Sequence, residues 1–485
     1  MGKVKPDKSA SFPFYSFRDY LAWLDENDML VHITEEVSNK WQTTAISREF
    51  FVSNGYGYAK VKPKIPFYEN FVGYPGVRGC NLAYGHIDLV AAIMGTTREK
   101  IFQDYFAKMK KPVPPITVEK AYFTENTFKG DEVDLYKIPL ETTSSKQSGP
   151  FLTFWASTFK SPVTGEYAFG IYRHNVKSRK HVGMLVIPGQ RTHRVYLEHK
   201  KEGKSMPITL VNAPPPACVL IAQARTPPGV SKLNFAGALQ GAPVECVNTD
   251  VNQHPVPSTC EYVLEGEMPT DILEPEGPFG EFTGLYSMAR DLPIINIKAM
   301  HVRDNPIYNS SWMGKPPSEG HLIGELMQNL GLTMMLRQLA PEVVAVRTVS
   351  SWALMMAVVI DKKMKTKGTA ARVASIAAAL QPGSKTWIVV EDDVDYWSVE
   401  EILWAMAIRW APNRTIIYGP LPGWRLDPTE RLQSGYPVEE GVRYVAIIDA
   451  TEPMPPYDEY YKRGIVDVPE QVKENAKQIA SKYLV

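Results

Sequence analysis

Apolar residues recur at helical spacing near the beginning of the chain. Tyr15, Phe17, Tyr20, Leu21, Trp23 and Leu24 predict a helix, then a strand, within residues 14–33. Ile87, Val90, Ala91 and Met94 share one face of helices predicted over 85–105. Residues 108–117 read KMKKPVPPIT. Pro112, Pro114 and Pro115 fix φ and remove hydrogen-bond donors there, so a linker is expected. From about 118 to 310 the texture changes. Short β-rich runs at 167–173, 183–187, 208–211, 218–222, 244–247, 260–265 and 294–300 are separated by Gly, Pro and Asn. That is the pattern of a β-sheet or barrel, with a helical insert expected at 194–201. From about 318 helices and strands alternate. An amphipathic helix at 320–339 precedes strands at 343–349 and 354–360, an Ala-rich helix at 369–380 and a buried strand at 386–390. Ser398 and Glu401 form a capping box that opens a helix over 399–410, and 442–448 is a further buried strand. Such alternation implies a mainly parallel sheet. The expected organisation is α/β and multidomain, with boundaries at 1–117, 118–317 and 318–485.

Charge narrows the function classes. The 485 residues carry 53 Lys+Arg and 53 Asp+Glu, a net charge of zero. Nucleic acid and anionic membranes both reward a basic excess, so neither is an expected partner. A hydrophobic fraction of 44% with 22% charged residues excludes a disordered chain. The 39 prolines, about 8%, exceed the usual ~5% and imply many rigid turns. Cys80, Cys218, Cys246 and Cys260 show no CxxC spacing, which fits a reducing compartment better than a zinc or redox motif. Met1 to Ser11 lacks an apolar leader, and the longest clean apolar run, 353–360, falls far short of the ~20 residues that span a bilayer. A cytoplasmic protein is expected.

Three segments could carry chemistry. In Glu276-Gly277-Pro278-Phe279-Gly280-Glu281, carboxylates five apart would point to opposite faces of a regular strand. Pro278 and the two glycines break that regularity, so a turn could aim both inward; a solvated surface turn is the alternative. Two adjacent carboxylates resist joint ionisation, which is one way to make a general acid. Arg173, at the end of Gly170-Ile171-Tyr172-Arg173, could pair with a carboxylate or be structural. The acidic loop Glu391-Asp392-Asp393-Val394-Asp395 follows a predicted parallel strand. It could bind Mg²⁺ or Ca²⁺, or serve as the acidic approach to the next helix. The nine histidines form no HExxH motif; His193 and His199 flank the predicted helix and His254 lies beside Pro255. No GxGxxG, Walker A or GxSxG context is present.

The order of GIYR (170–173), PGQ (188–190), FAGALQGAPVE (235–245), EYVLEGE (261–267), PEGPFGEFTG (275–284), RDNPIY (303–308) and IVVEDDVDYWSVEEILWAMAIR (388–409) resembles the UbiD family over roughly 20–450. The resemblance implies a reversible decarboxylase of an aromatic or α,β-unsaturated acid that uses prenylated FMN. It implies an N-terminal α/β domain, a central FMN-binding split β-barrel and a C-terminal α/β domain that helps oligomerise. It makes Arg173, Glu276 and Glu281 the catalytic network: Glu281 donates the proton that replaces CO₂, Arg173 holds the substrate carboxylate, and Glu276 positions Arg173. Ala168, Phe169, Gly170, Ile171, Tyr172 and Arg173 would face the cofactor, with Gln190, Arg191, Lys232 and Arg225. Ile187, Ile323 and Met327 are either pocket lining or core.

One departure stands out. The family holds the cofactor phosphate through a divalent metal bound by Asn, His and Glu, beside a potassium ion. Ala168, Arg191 and Lys232 occupy those ligand positions here, so no metal site is expected and positive side chains would meet the phosphate directly. The partners implied are a flavin prenyltransferase supplying the cofactor and a homodimer or higher homo-oligomer, with hetero-subunits as an option. Two other readings remain open: a non-catalytic subunit of a multi-subunit carboxylase, and a small-molecule or metal-binding α/β protein using the acidic loop.

Overall fold

The computed structural model describes residues 3–188, 190–226, 229–381, 383–423, 426–429 and 442–482. Gly189 of the Pro188-Gly189-Gln190 run therefore lies outside the described residues.

The predicted opening helix forms at Phe17–Glu26, where the Ser16 side chain accepts the Asp19 N–H, and the strand follows at Leu30–Val37. This strand pairs in parallel with Ile65–Phe71, and Arg78–Cys80 extends the sheet. The fourth strand, Ile307–Asn309, arrives from beyond the barrel and pairs in parallel with Arg78–Cys80. The chain thus returns to its first sheet before entering the C-terminal region.

The barrel is closed. Strands Tyr262–Met268, Met206–Asn212, Phe151–Lys160, Tyr167–Val176, His181–Met184 and Arg290–Val302 are neighbours in that order, all antiparallel. The last pairs back with the first, which removes the edges of an open sheet. Trp155, Leu152, Leu210, Leu264 and Met300 fill its interior. The 218–222 run, expected as a strand, is instead part of helix Pro216–Gln223. Its apolar residues are buried all round, so it shows no helical period, and Pro216 opens the first turn. Helix Lys232–Gln240 packs on it, and helix Glu319–Leu339 runs almost wholly buried beside both.

The C-terminal sheet orders its strands Val343–Ser350, Met355–Ile360, Thr386–Glu391, Val442–Asp449, Thr415–Pro422. Its three inner strands are parallel, and each edge strand is antiparallel to its neighbour. Among the described residues no helix is long and apolar enough to cross a membrane. All four cysteines are buried and unpaired.

Candidate active site

Arg173 lies near the end of strand Tyr167–Val176, and Glu276 ends the short strand Leu273–Glu276, paired opposite Arg290. Gly277 then adopts φ +98°, a conformation L-residues rarely take, and a Cβ there would lie 3.1 Å from the Met288 carbonyl oxygen. The chain doubles back: the Glu281 N–H donates to the Leu285 carbonyl at 2.8 Å and Gly280 bridges to Tyr286. This turn aims both glutamates at one guanidinium. Arg173 Nε and Nη2 donate to the two carboxylate oxygens of Glu276, each at 3.1 Å, while Nη1 bonds Glu281 Oε1. Glu276 is 1% exposed and Glu281 7%, so neither belongs to a solvated surface turn. The guanidinium also stacks on Phe279, 4.7 Å from the ring centroid, and Phe279 packs against Phe151. Burial opposes the Arg173 charge, but Glu281 and Glu276 outweigh it and raise the guanidinium above its ordinary value.

Arg173 and Glu281 line a cavity of about 260 Å³. Ile171, Tyr172, Leu185, Ile187, Phe282, Trp312 and Trp352 make most of it apolar and aromatic. Ile187 is thus lining, whereas Ile323 and Met327 lie in the core. Glu281 also borders a smaller recess of about 120 Å³ with Thr283, Leu285, Tyr286 and Leu426. One carboxyl group therefore borders two cavities, the larger of them mainly apolar.

The wall beside Glu281 is held by His321, whose Nε2 donates to the Phe282 carbonyl at 2.7 Å while Nδ1 accepts from Ser318 Oγ at 2.7 Å. Burial pulls His321 down to about 4, so the ring is neutral and these bonds fix its tautomer. Sequence reasoning did not single out His321, Phe282 or Trp352. They lie far along the chain from Arg173, and nothing local marks them as lining.

The six residues 168–173 divide by strand alternation. Ala168 sits in the barrel core opposite Phe159, and Phe169 is buried on the other face with Ile171. Gly170 pairs with Ser157; Ile171, Tyr172 and Arg173 reach the cavity. Gln190, which also lines it, caps helix Arg191–Lys201, and Thr192 Oγ1 bonds the Tyr172 hydroxyl. Arg191 and Lys232 each occupy the first turn of a helix. They act on one another as like charges: burial first, then Arg191, pulls Lys232 down to about 7. Lys232 Nζ donates to the Ala222 carbonyl at 2.8 Å, and neither cation forms an ion pair among the described residues. Two basic side chains at two helix starts, without a carboxylate partner, suit an anion. Arg225 is directed elsewhere, donating to the Leu380 carbonyl at 3.0 Å.

The acidic loop is satisfied internally. Carboxylate oxygens of Glu391, Asp393 and Glu452 lie within 4.8 Å of one another. Arg409 bonds Asp393 twice at 2.9 Å and reaches Glu391 and Glu452, each at 3.3 Å. Lys362 and Lys365 add further ion pairs, so these carboxylates are neutralised by protein cations. His199 and His254 are likewise engaged, with the Lys160 carbonyl and Thr209 Oγ1.

Comparison with known proteins agrees with this architecture. Residues 116–316 match the 3-octaprenyl-4-hydroxybenzoate carboxy-lyase Rift-related domain, and 321–450 match the C-terminal domain of the same enzymes. The chain is a carboxy-lyase. The phenolic acid decarboxylase of Sedimentibacter hydroxybenzoicus is 29% identical over 483 residues, covering 95% of this chain and 96% of that one. The UbiD-class enzyme HmfF from Pelotomaculum thermopropionicum, solved with FMN, superimposes with a TM-score of 0.84 at 27% identity, over 94% of this chain and 98% of HmfF. An evolved dimeric form of HmfF with prFMN gives 0.81 at 25% identity, over 95% and 98%. The chain belongs to the UbiD family.

Proposed function

We propose that this carboxy-lyase releases CO₂ from, and in reverse adds it to, an aromatic or α,β-unsaturated carboxylic acid with prenylated FMN bound against the barrel domain. The observation that carries this reading is a buried Glu281 bonded to Arg173 at the edge of an aromatic cavity. Arg173 receives the substrate carboxylate, and the two bonds it donates to Glu276 fix its plane. Loss of CO₂ leaves an electron pair on the ring or vinyl carbon, for which the bound cofactor supplies the sink. Glu281 transfers its proton to that carbon. The second cavity that Glu281 borders offers its carboxylate a route to a new proton, and the apolar lining of the first limits water at the reacting carbon.

Arg191 and Lys232 hold the cofactor phosphate directly, with Gln190 and Tyr172 beside them and no divalent metal. Cofactor loading by a flavin prenyltransferase, a cytoplasmic location and assembly into a homo-oligomer complete the reading. Helix Glu470–Ala480 supports the last point, because it buries no residue and leaves Val472 and Ile479 exposed.

The test is coexpression with a flavin prenyltransferase, then the visible spectrum, the cofactor mass and deuterium exchange into a panel of aromatic acids. Exchange reports activity even where net decarboxylation is unfavourable. Glu281→Gln is expected to keep the flavin spectrum and lose exchange by 10² or more, on the order of a general acid's contribution. Unchanged turnover would refute the assigned proton donor.

A further inference from the structure

The cavity wall formed by Trp352 comes from neither the barrel nor the glutamate turn. Trp352 lies in the connection between strands Val343–Ser350 and Met355–Ile360 of the C-terminal sheet. Ser351, Trp352 and Ala353 have φ of +55°, +47° and +75°. Three successive L-residues in the left-handed region are costly and persist only where the surroundings over-determine them.

The surroundings do so at three points. The Trp352 N–H donates to Glu325 Oε1 at 2.9 Å, and Ser384 Oγ donates to the Ala353 carbonyl at 2.5 Å. The indole itself lies over Gly324 of helix Glu319–Leu339, where an added Cβ would sit 2.0 Å from Cη2. No larger residue fits beneath that ring. Seated there, the indole lies 6.0 Å from the His321 ring and 6.4 Å from that of Phe282, the residue after Glu281. A glycine notch, a buried carboxylate and a left-handed turn thus converge on one residue, whose side chain touches the cavity and takes no part in the Glu–Arg–Glu network.

We propose that Trp352 is the specificity-determining residue of the substrate chamber, setting how large a ring the acid can carry beside Glu281. This rests on the decarboxylase reading above and assigns Trp352 no proton or electron transfer. By filling that face, the indole leaves less room for a fused second ring than for a single planar ring.

The experiment uses the flavin-loaded full chain and two readouts. One is equilibrium binding of single-ring and fused two-ring aromatic acids, which needs no turnover. The other is deuterium exchange into the same acids. Trp352→Ala is expected to shift the two-ring to single-ring ratio of affinities and of kcat/KM at least tenfold towards the two-ring acid. Trp352→Phe is expected to fall between. Gly324→Ala, which displaces the indole towards the open chamber, is expected to shift the ratio the other way. An unchanged binding ratio in folded, flavin-loaded Trp352→Ala overturns the proposal, whatever happens to Gly324→Ala. Ring-size-dependent binding without exchange into any acid by the wild-type chain would instead overturn the decarboxylase reading and leave the role of Trp352 supported.

Discussion

Two pairs of buried glutamates meet opposite surroundings in this molecule. Glu276 and Glu281 share Arg173, which bonds both and stacks on Phe279. Glu141 and Glu319, both fully buried, have no arginine or lysine bonded to either, and the Glu141 charge adds weakly to the burial of Glu319. Burial pushes each of these up to about 7, only partly offset by neutral donors: Thr43, Ser310 and Asn81 around Glu141, the Tyr84 N–H and Ser311 at Glu319. Burial alone therefore does not mark a carboxyl for the proposed role. What separates the pairs is a cation placed between two carboxylates at a cavity.

The comparison can be broken most severely at Arg173. Arg173→Met would turn the first pair into a copy of the second, leaving two carboxylates without their cation. Removing one partner of a buried ionic group typically costs about 3–5 kcal/mol. Chemical denaturation should show a loss of that size, together with loss of exchange activity; a loss below about 1 kcal/mol would mean the glutamates do not depend on the arginine.

A smaller effect is expected from pH. Glu141 and Glu319 hold protons in the folded chain up to about 7 but only to about 4.5 when unfolded. Their contribution is complete below 4.5 and is lost as pH rises through 7, so stability should fall across that window. Glu141→Gln should remove about 2 kcal/mol of this dependence, read from denaturation midpoints at pH 5 and pH 8. An unchanged slope would place the titration elsewhere.

The mildest test concerns the buried cation without a carboxylate. Lys232 binds its proton only up to about 7 when folded and to 10.5 when unfolded. The cofactor-free chain should gain stability as pH climbs between those values, the reverse sign of the glutamates. Lys232→Met should flatten that rise and stabilise the cofactor-free chain by about 1 kcal/mol near pH 7, seen as a higher Tm. It should also weaken flavin retention.

The glutamate turn was legible because its irregularity is local. Two glycines and a proline between two glutamates announce a reversal, and the barrel around them shows in short β-runs broken by turn residues. Helix Pro216–Gln223 was not legible as a helix, since a fully buried apolar run carries no periodicity. The antiparallel edges of the C-terminal sheet were also out of reach, because alternation of elements says nothing about edge direction. Neither the burial of Glu141 and Glu319 without a cation nor the meeting of Trp352 with Phe282 leaves a local trace. Such contacts are products of tertiary packing. That Ala168, Arg191 and Lys232 stand where the family places metal ligands is an expectation from position alone, whereas the effect of the Arg191 charge on Lys232 needed three dimensions.

The glycine notch at Gly324 has an evolutionary consequence. The groups assigned to chemistry stand on a closed barrel and its turn, while the indole stands on a separate sheet. Selection for a new acid can therefore act on the hairpin and its seat and leave the proton-handling groups intact. Lineages of this architecture could diverge in diet while inheriting one reaction.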